Sequence, residues 1–225
     1  MSLFALEHSK VAYRLDLAFF GAASVSLGAL LFLAGPPARL IQSVACAALG
    51  LASWTFIEYG VHRFVMHGVK PFSAWHARHH QRPTARIYSP TFVGATLIAA
   101  LIYLPAWVAW GRWPACALTF GVVAGDFGYA VTHHAIHHWG AERGWLGRRR
   151  RWHGLHHARL CAPAGRPCYY GVTSPFWDYV FRTAATRHVR HRTDGIRTVD
   201  QRASDRRRGQ VSAVMLLNSV SPAKD

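Results

Sequence analysis

Four long stretches that are nearly free of charge, roughly residues 15–34, 41–61, 90–110 and 113–132, constrain this chain more than any other feature. Each runs to about 20 residues, the length at which an α-helix crosses the ~30 Å hydrocarbon slab of a bilayer. Their apolar residues extend around the whole helical circumference, unlike the single apolar stripe of a helix on a soluble core. The first stretch is not a cleavable leader: it lacks a small-x-small exit and runs through "GPPARL" into a second apolar segment. The expected fold is an all-α integral membrane protein with four transmembrane helices.

Charge lies outside these stretches, although the chain carries a formal net charge of +16 and is 51% hydrophobic. The connections at 35–40 and 111–112 hold one arginine each, Arg39 and Arg112. The segment between the second and third spans holds Arg63, Lys70, Arg78, Arg82 and Arg86, and most remaining arginines follow the fourth span. Positive residues mark the cytoplasmic face. Two helical hairpins are therefore expected, with both termini and the 62–89 connection in the cytoplasm. A nucleic-acid role, which any strongly basic chain invites, fits less well. Arginines beside membrane spans fix topology and attract anionic headgroups at about 1 kcal/mol each. Cys46 and Cys116 fall in apolar spans as small hydrophobes, and Cys161 and Cys168 form no C-x-x-C pair. A cytoplasmic setting would keep them reduced. Residues 1–185 form the membrane domain, and the basic segment 186–225 lacks apolar periodicity and reads as a disordered tail.

Histidine placement carries the chemistry. Of 15 histidines, five lie between residues 62 and 80 and seven between 133 and 157. On a helix, residues at i, i+3 and i+4 share a face. His76, His79 and His80 therefore face one centre, as do His153, His156 and His157. His133 and His137 form an i, i+4 pair, and His134 and His138 form another that spacing alone does not separate from it. His62 and His67 are five apart, about 140° around an ideal helix, and need two metals, a helix break or a distorted turn to act together. The spans at 90–132 leave and return to one membrane face, which brings the two histidine windows together. His8, His188 and His191 read as interfacial contacts.

Ten histidines, His62, His67, His76, His79, His80, His133 or His134, His137 or His138, His153, His156 and His157, exceed the three or four ligands of one zinc site. They imply at least two ions that accept imidazole. The Glu-x-x-His repeat of soluble di-iron bundles is missing. Glu58, Asp126 and Asp178, with Glu142, are then candidates to orient ring N–H groups from outside the ligand set.

The segments "WTFIEYGVHRFVMH" at 54–67, "HARHH" at 76–80, "YAVTHHAIHH" at 129–138 and "WHGLHHARLCAPAGRPCYYGVTSPFWDYVF" at 152–181 closely resemble the fatty acid hydroxylase and sterol desaturase superfamily. "WTFIEYGVHRF" and "GVTSPFWDYVF" are most similar to the fatty acid 2-hydroxylases. The resemblance implies a cytosolic histidine-rich cap on four spans, holding two iron ions that activate O2 (zinc being accepted by the same ligands in purified protein). Its Thr-His pair falls on Thr132-His133, which favours His133 and His137 as ligands. The chain departs from the pattern in the short interval from His67 to His76 and in Ala130, where the family has aspartate. No haem domain is fused at the N-terminus, so the resemblance implies a separate electron donor, a cytochrome-b5-type protein or a ferredoxin with its reductase.

The expected activity is hydroxylation of a long acyl chain at carbon 2, free or within a complex lipid, by an oxidoreductase with no catalytic residue beyond the metal centre. Trp54, Phe56, Tyr59 and Trp177 are candidate channel walls, with ordinary packing or an interfacial aromatic belt as the competing account. Carotenoid ring hydroxylation and lipid desaturation are alternatives within the superfamily. A non-catalytic metal transporter is the alternative of another class, although transporters place ionisable groups at mid-membrane and these spans hold few.

Overall fold

A computed structural model of the protein describes residues 9–86, 91–140, 142–158 and 167–185. The segment 186–225, His8, His188, His191 and Cys161 lie outside the described residues. The described chain is all helical. Helix α1 (Lys10–Ala34) starts where the Ser9 hydroxyl accepts the Ala12 N–H at 3.1 Å, and it stops at Gly35 before two prolines. Helix α2 (Leu40–Gly60) continues into a π-helical turn, Val61–Met66. Helix α3 (Phe72–Gln81) follows. Helix α4 (Thr91–Ile98), a second π turn (Ala99–Tyr103) and helix α5 (Leu104–Trp110) form one continuous span. The wide turn accommodates Pro105, which has no N–H and would clash with the carbonyl four residues back in a regular helix. Gly111 then reverses the chain at φ 82°, a left-handed conformation that suits glycine, and helix α6 (Arg112–His138) begins. Helix α7 (Gly144–Ala158) and the short helix α8 (Phe176–Val180) complete the fold.

Four helical stretches are long and apolar enough to cross a membrane: Lys10–Ala34, Pro37–Met66, Thr91–Trp110 and Arg112–His138. Three of them expose most of their side chains, which suits lipid contact, whereas α6 is buried along much of its length. Helix α6 is the hub, packing against α2, α1 and α5. Contact between the consecutive helices α1 and α2 is slight among the described residues.

The α2–α6 contact is close because small residues line it. A Cβ added to Gly121 would lie 2.1 Å from the Ala47 carbonyl oxygen, and one on Gly50 would lie 2.1 Å from that of Leu118. Gly125, four residues after Gly121, receives the Trp54 side chain, whose Cγ would lie 2.4 Å from an added Cβ. In lipid, helices associate through such small-residue seams because apolar burial itself contributes little. Gly121→Ala should therefore destabilise the protein by about 1–3 kcal/mol through overpacking against backbone. Gly128→Ala meets nothing within 4 Å and should gain helix propensity of about 1 kcal/mol. Thermal unfolding of both variants in detergent checks the contrast, and equal midpoints would dismiss the seam.

Candidate metal centre

Helical geometry assembles the histidines. The π turn at Val61–Met66 solves the five-residue spacing of His62 and His67, because a π turn places residues five apart on one face. Their rings lie 5.3 Å apart. Helix α3 contributes His76, His79 and His80, α6 contributes His133 and His137, and α7 contributes His153, His156 and His157.

They gather into two adjoining groups. His62, His67, His76, His80 and His156 form one, and His79, His133, His137 and His153 the other; within each, one potential ligand atom per residue lies within 4.8 Å of all the rest. His157 stands between them, its Nε2 3.0 Å from that of His153 and its ring stacked on His80 at 4.2 Å. All ten histidines expected from the sequence thus meet in one cluster. His134 and His138 lie apart, stacked on each other at 4.4 Å, with His134 Nδ1 2.9 Å from the Tyr13 hydroxyl.

The nitrogens converge in a way that suits cations. His76 Nε2 lies 3.0 Å from His62 Nε2 and 2.9 Å from His80 Nε2, while His156 Nε2 lies 3.1 Å from both His67 Nε2 and His80 Nε2. In the second group His137 Nε2 is 3.2 Å from His133 Nε2 and 3.0 Å from His153 Nε2. A neutral imidazole has one N–H. His62 donates its proton from Nδ1 to the Tyr170 carbonyl at 2.5 Å, and His156 donates from Nδ1 to the Cys168 carbonyl at 2.8 Å. Their Nε2 atoms therefore present lone pairs to the other rings. Both nitrogens of His79 and the Nδ1 atom of His153 are buried without a hydrogen-bond partner. Divalent ions that accept imidazole fit this donor set.

Burial keeps the rings neutral. It lowers His76, His153, His156 and His157 well below the usual histidine range and His79 to about 3, with neighbouring histidines adding to the effect.

The two orienting carbonyls come from one short segment. Tyr169 between them adopts φ 53°, a left-handed conformation uncommon for a bulky residue. Its buried ring stacks on Trp152 at 5.3 Å. Asp178, fully buried, accepts the Tyr170 and Gly171 N–H groups at 2.9 Å each and the Thr183 hydroxyl at 2.7 Å. Glu58 on α2 accepts the Val172 N–H, the Thr173 N–H at 2.9 Å and the Thr173 hydroxyl. These acids hold the backbone that orients His62 and His156, one step further from the rings than the sequence pattern predicts. Asp126 faces a cavity, and Glu142 is exposed. Cys168 is disulfide-bonded, a departure from the reduced cysteines that the inferred compartment predicts.

That cavity, about 210 Å³, lies among α1, α3, α4 and α6. His76, His79, His133 and His137 border it on one side, and Phe20 and Gly94 on another. The aromatic residues expected as channel walls are elsewhere. Trp54 fills the seam at Gly125. Tyr59 is buried, hydrogen-bonded to Thr183 at 3.2 Å and stacked on Phe181. Phe56 packs edge-on against Trp177, whose indole N–H donates to Thr55 at 3.0 Å. These side chains join α2 to α6 and α8, whereas the cavity opens on the α1 and α4 side of α6. Sequence reasoning missed the carbonyls of Cys168 and Tyr170, which no side-chain motif reveals. It also missed the cavity residues Tyr13, Asp16 and Thr91, although polar groups at the border of a span are visible in the sequence.

Asp178→Asn offers the Gly171 N–H an amide in place of an acceptor, and metal affinity should fall by about 10–100-fold, as for other supports of metal ligands. Chelator competition measures it, and unchanged affinity would remove Asp178 from the support. Acid should also weaken the centre. A histidine depressed from 6.5 to about 3, as His79 is, stays neutral in the folded chain while the unfolded chain takes up a proton. Stability is then full above about 6.5 and is lost as pH falls through that value towards 3. The unfolding temperature of metal-stripped protein should decline from pH 7.5 to pH 5, and a flat profile would contradict the neutral cluster.

The fatty acid hydroxylase family model matches residues 47–183. The chain is 32% identical over 163 residues to a dihydroceramide fatty acyl 2-hydroxylase of Arabidopsis thaliana, covering 65% of this chain and 63% of that one. It is 29% identical over 150 residues to a ceramide very long chain fatty acid hydroxylase of Schizosaccharomyces pombe, covering 60% and 41%. Thus it spans less than two thirds of the length of these relatives. Among solved structures, the hydroxylase domain of full-length scs7p shares the fold, with a TM-score of 0.59 at 23% identity over 78% of this chain and 67% of that one. The motifs, the four apolar helices and the match over residues 47–183 lead to one conclusion: the chain belongs to the fatty acid hydroxylase family.

Proposed function

We propose that this protein is an integral membrane oxygenase that hydroxylates a long acyl chain, free or within a complex lipid, at carbon 2. The observation that carries the reading is the meeting of nine histidines in two adjoining groups, with His157 between them, beside a cavity that reaches apolar helices. In this reading both termini and the histidine cap face the cytoplasm, and the helices pair as two hairpins. His62, His67, His76, His80 and His156 hold one ion, and His79, His133, His137 and His153 hold the other, with His157 completing the set. A pair of iron ions bound there would supply the redox chemistry that activates O2 towards an unactivated C–H bond, which no side chain provides. Overall, one oxygen atom enters the C–H bond as hydroxyl and the other leaves as water, which takes two electrons from a separate donor and two protons.

The chain's own residues position and shelter that chemistry. The Tyr170 and Cys168 carbonyls fix the tautomers of His62 and His156, so both Nε2 atoms face the ions. Glu58 and Asp178 hold those carbonyls in place. Burial of His62, His79, His153 and His156 restricts water. The relatives bear names of acyl 2-hydroxylases, which supports an acyl substrate over a carotenoid ring. Ionisable residues gather at one end of the bundle, which supports a catalytic centre over a transport path.

Expression with a matched electron donor, followed by hydrolysis of total lipids and mass spectrometry, should yield 2-hydroxy fatty acids from the intact protein and none from His153→Ala. The intact protein should hold two metal ions per chain. Absence of the product from metal-loaded protein with a working donor would overturn the reading.

A further inference from the structure

The cavity beside the centre has an order along its length. The α1 residues that border it, Tyr13, Asp16, Leu17 and Phe20, follow an i, i+3, i+4, i+7 pattern, which is one face of a helix. Helix α4 contributes Thr91 and Gly94, one turn apart. On α6 one continuous stripe borders it, from Asp126 through Tyr129 and His133 to His137 and His138. The twelve steps from Asp126 to His138 correspond to about 18 Å at 1.5 Å per residue. The histidines stand at one end of this run. Phe20, Gly94 and Asp126 are the deepest contributors from their three helices and form the other end.

Helices α1 and α4 meet at that deep end and expose much of the rest of their surface. The Thr91 hydroxyl donates to Asp16 across them. One turn further into the span, buried Phe20 points its ring at Gly94, and a Cβ added to Gly94 would lie 3.5 Å from the ring tip, an ordinary contact. An alanine fits there without displacement, whereas a larger side chain occupies the space between the ring and the helix. Leu17 on α1 and Met66, Phe72 and Trp75 on the histidine-bearing π turn and α3 give the cavity apolar walls.

We propose that this cavity is the binding site for the substrate's acyl chain, and that Phe20 against Gly94 is the stop that sets how long a chain it accepts. The inference rests on the acyl-hydroxylase reading for its ligand and on the cavity's own geometry for its residues. A chain whose second carbon lies at the histidines runs along the α6 stripe, and its far end meets Phe20. Phe20 and Gly94 face each other across that end, so the length limit depends on both residues.

The test supplies a ladder of saturated acyl substrates to the full-length, metal-loaded protein in membranes and reads the chain-length profile of the hydroxylated products. Gly94→Leu should shift the profile to shorter chains, with the long-to-short ratio falling about tenfold or more, as a crowded methylene does in an apolar pocket. Phe20→Ala should shift it to longer chains, Gly94→Ala should leave it unchanged, and Phe20→Ala with Gly94→Leu should return it towards the original. That return would separate a length stop from general damage. A profile that keeps its shape in Gly94→Leu and Phe20→Ala, at unchanged metal content, overturns the proposal. A second arm is independent of turnover: a diazirine-bearing fatty acid is photolysed with the protein and the labelled peptides are mapped. Labelling on residues 13–20 and 91–98 that Gly94→Leu abolishes supports the site, even where no hydroxylated product forms and the activity reading itself fails. Labelling confined to other segments overturns it.

Discussion

The structure turns on a convergence of lone pairs. A neutral imidazole carries one proton, and His62 and His156 have given theirs to backbone carbonyls. Their Nε2 atoms, with those of the surrounding rings at about 3 Å, face inward as acceptors that cations stabilise and other rings cannot all satisfy. The supporting features are individually costly. A left-handed bulky residue such as Tyr169 costs on the order of 1–3 kcal/mol, and buried carboxylates need several donors each to offset their desolvation. Glu58 and Asp178 have those donors, and every one belongs to the segment that orients the two histidines or to its flanks. The Tyr169 conformation, the buried acids and the π turn at Val61–Met66 therefore share one cause: they aim imidazoles.

The lipid-facing part of the fold serves the same end. Helix α6 and the π turn that continues α2 carry histidines at one end of the bundle, and Gly50, Gly121 and Gly125 let the α2 and α6 backbones approach closely. A bilayer offers little apolar driving force for that approach, so the small residues decide it. Trp54 then wedges against Gly125 and meets Tyr129, whose ring stacks beside His133. Packing within the spans is in this way linked to the rotational setting of α6, and with it to which of its histidines face the centre.

Much of this is legible from residue order alone, because it follows from helical periodicity. The i, i+3, i+4 trios of α3 and α7 reach the cluster, but each divides between the two groups instead of facing one centre, His79 apart from His76 and His80 and His153 apart from His156, and four apolar stretches become four helices long enough to span a bilayer. The His62–His67 spacing announces a distortion without naming it, and the π turn supplies the form. Other features depend on the backbone or on distant contacts. The carbonyls of Cys168 and Tyr170 have no side-chain signature, so the acids that hold them look from sequence like direct partners of histidine. The aromatic residues of α2 look like channel walls because they neighbour a histidine motif, but the face they occupy is turned to α6 and α8. The disulfide at Cys168 runs against an inference drawn from compartment, and local spacing does not reveal it.

Helix α6 shows why the centre and the cavity cannot be separated. Histidines at positions 133 and 137 belong to the second metal-compatible group, while 134 and 138, one residue further round, stack beside Tyr13. All four border the cavity, as do Asp126 and Tyr129 above them. A rotation of α6 large enough to move His133 off its group would carry the cavity wall with it, because one rigid helix presents both surfaces. An acyl chain lying along this stripe is therefore registered against the histidines by the helix itself. In the proposed site the distance between the centre and the far end of the cavity then limits how much chain beyond carbon 2 is accepted, while the carbon attacked is decided at the histidine end.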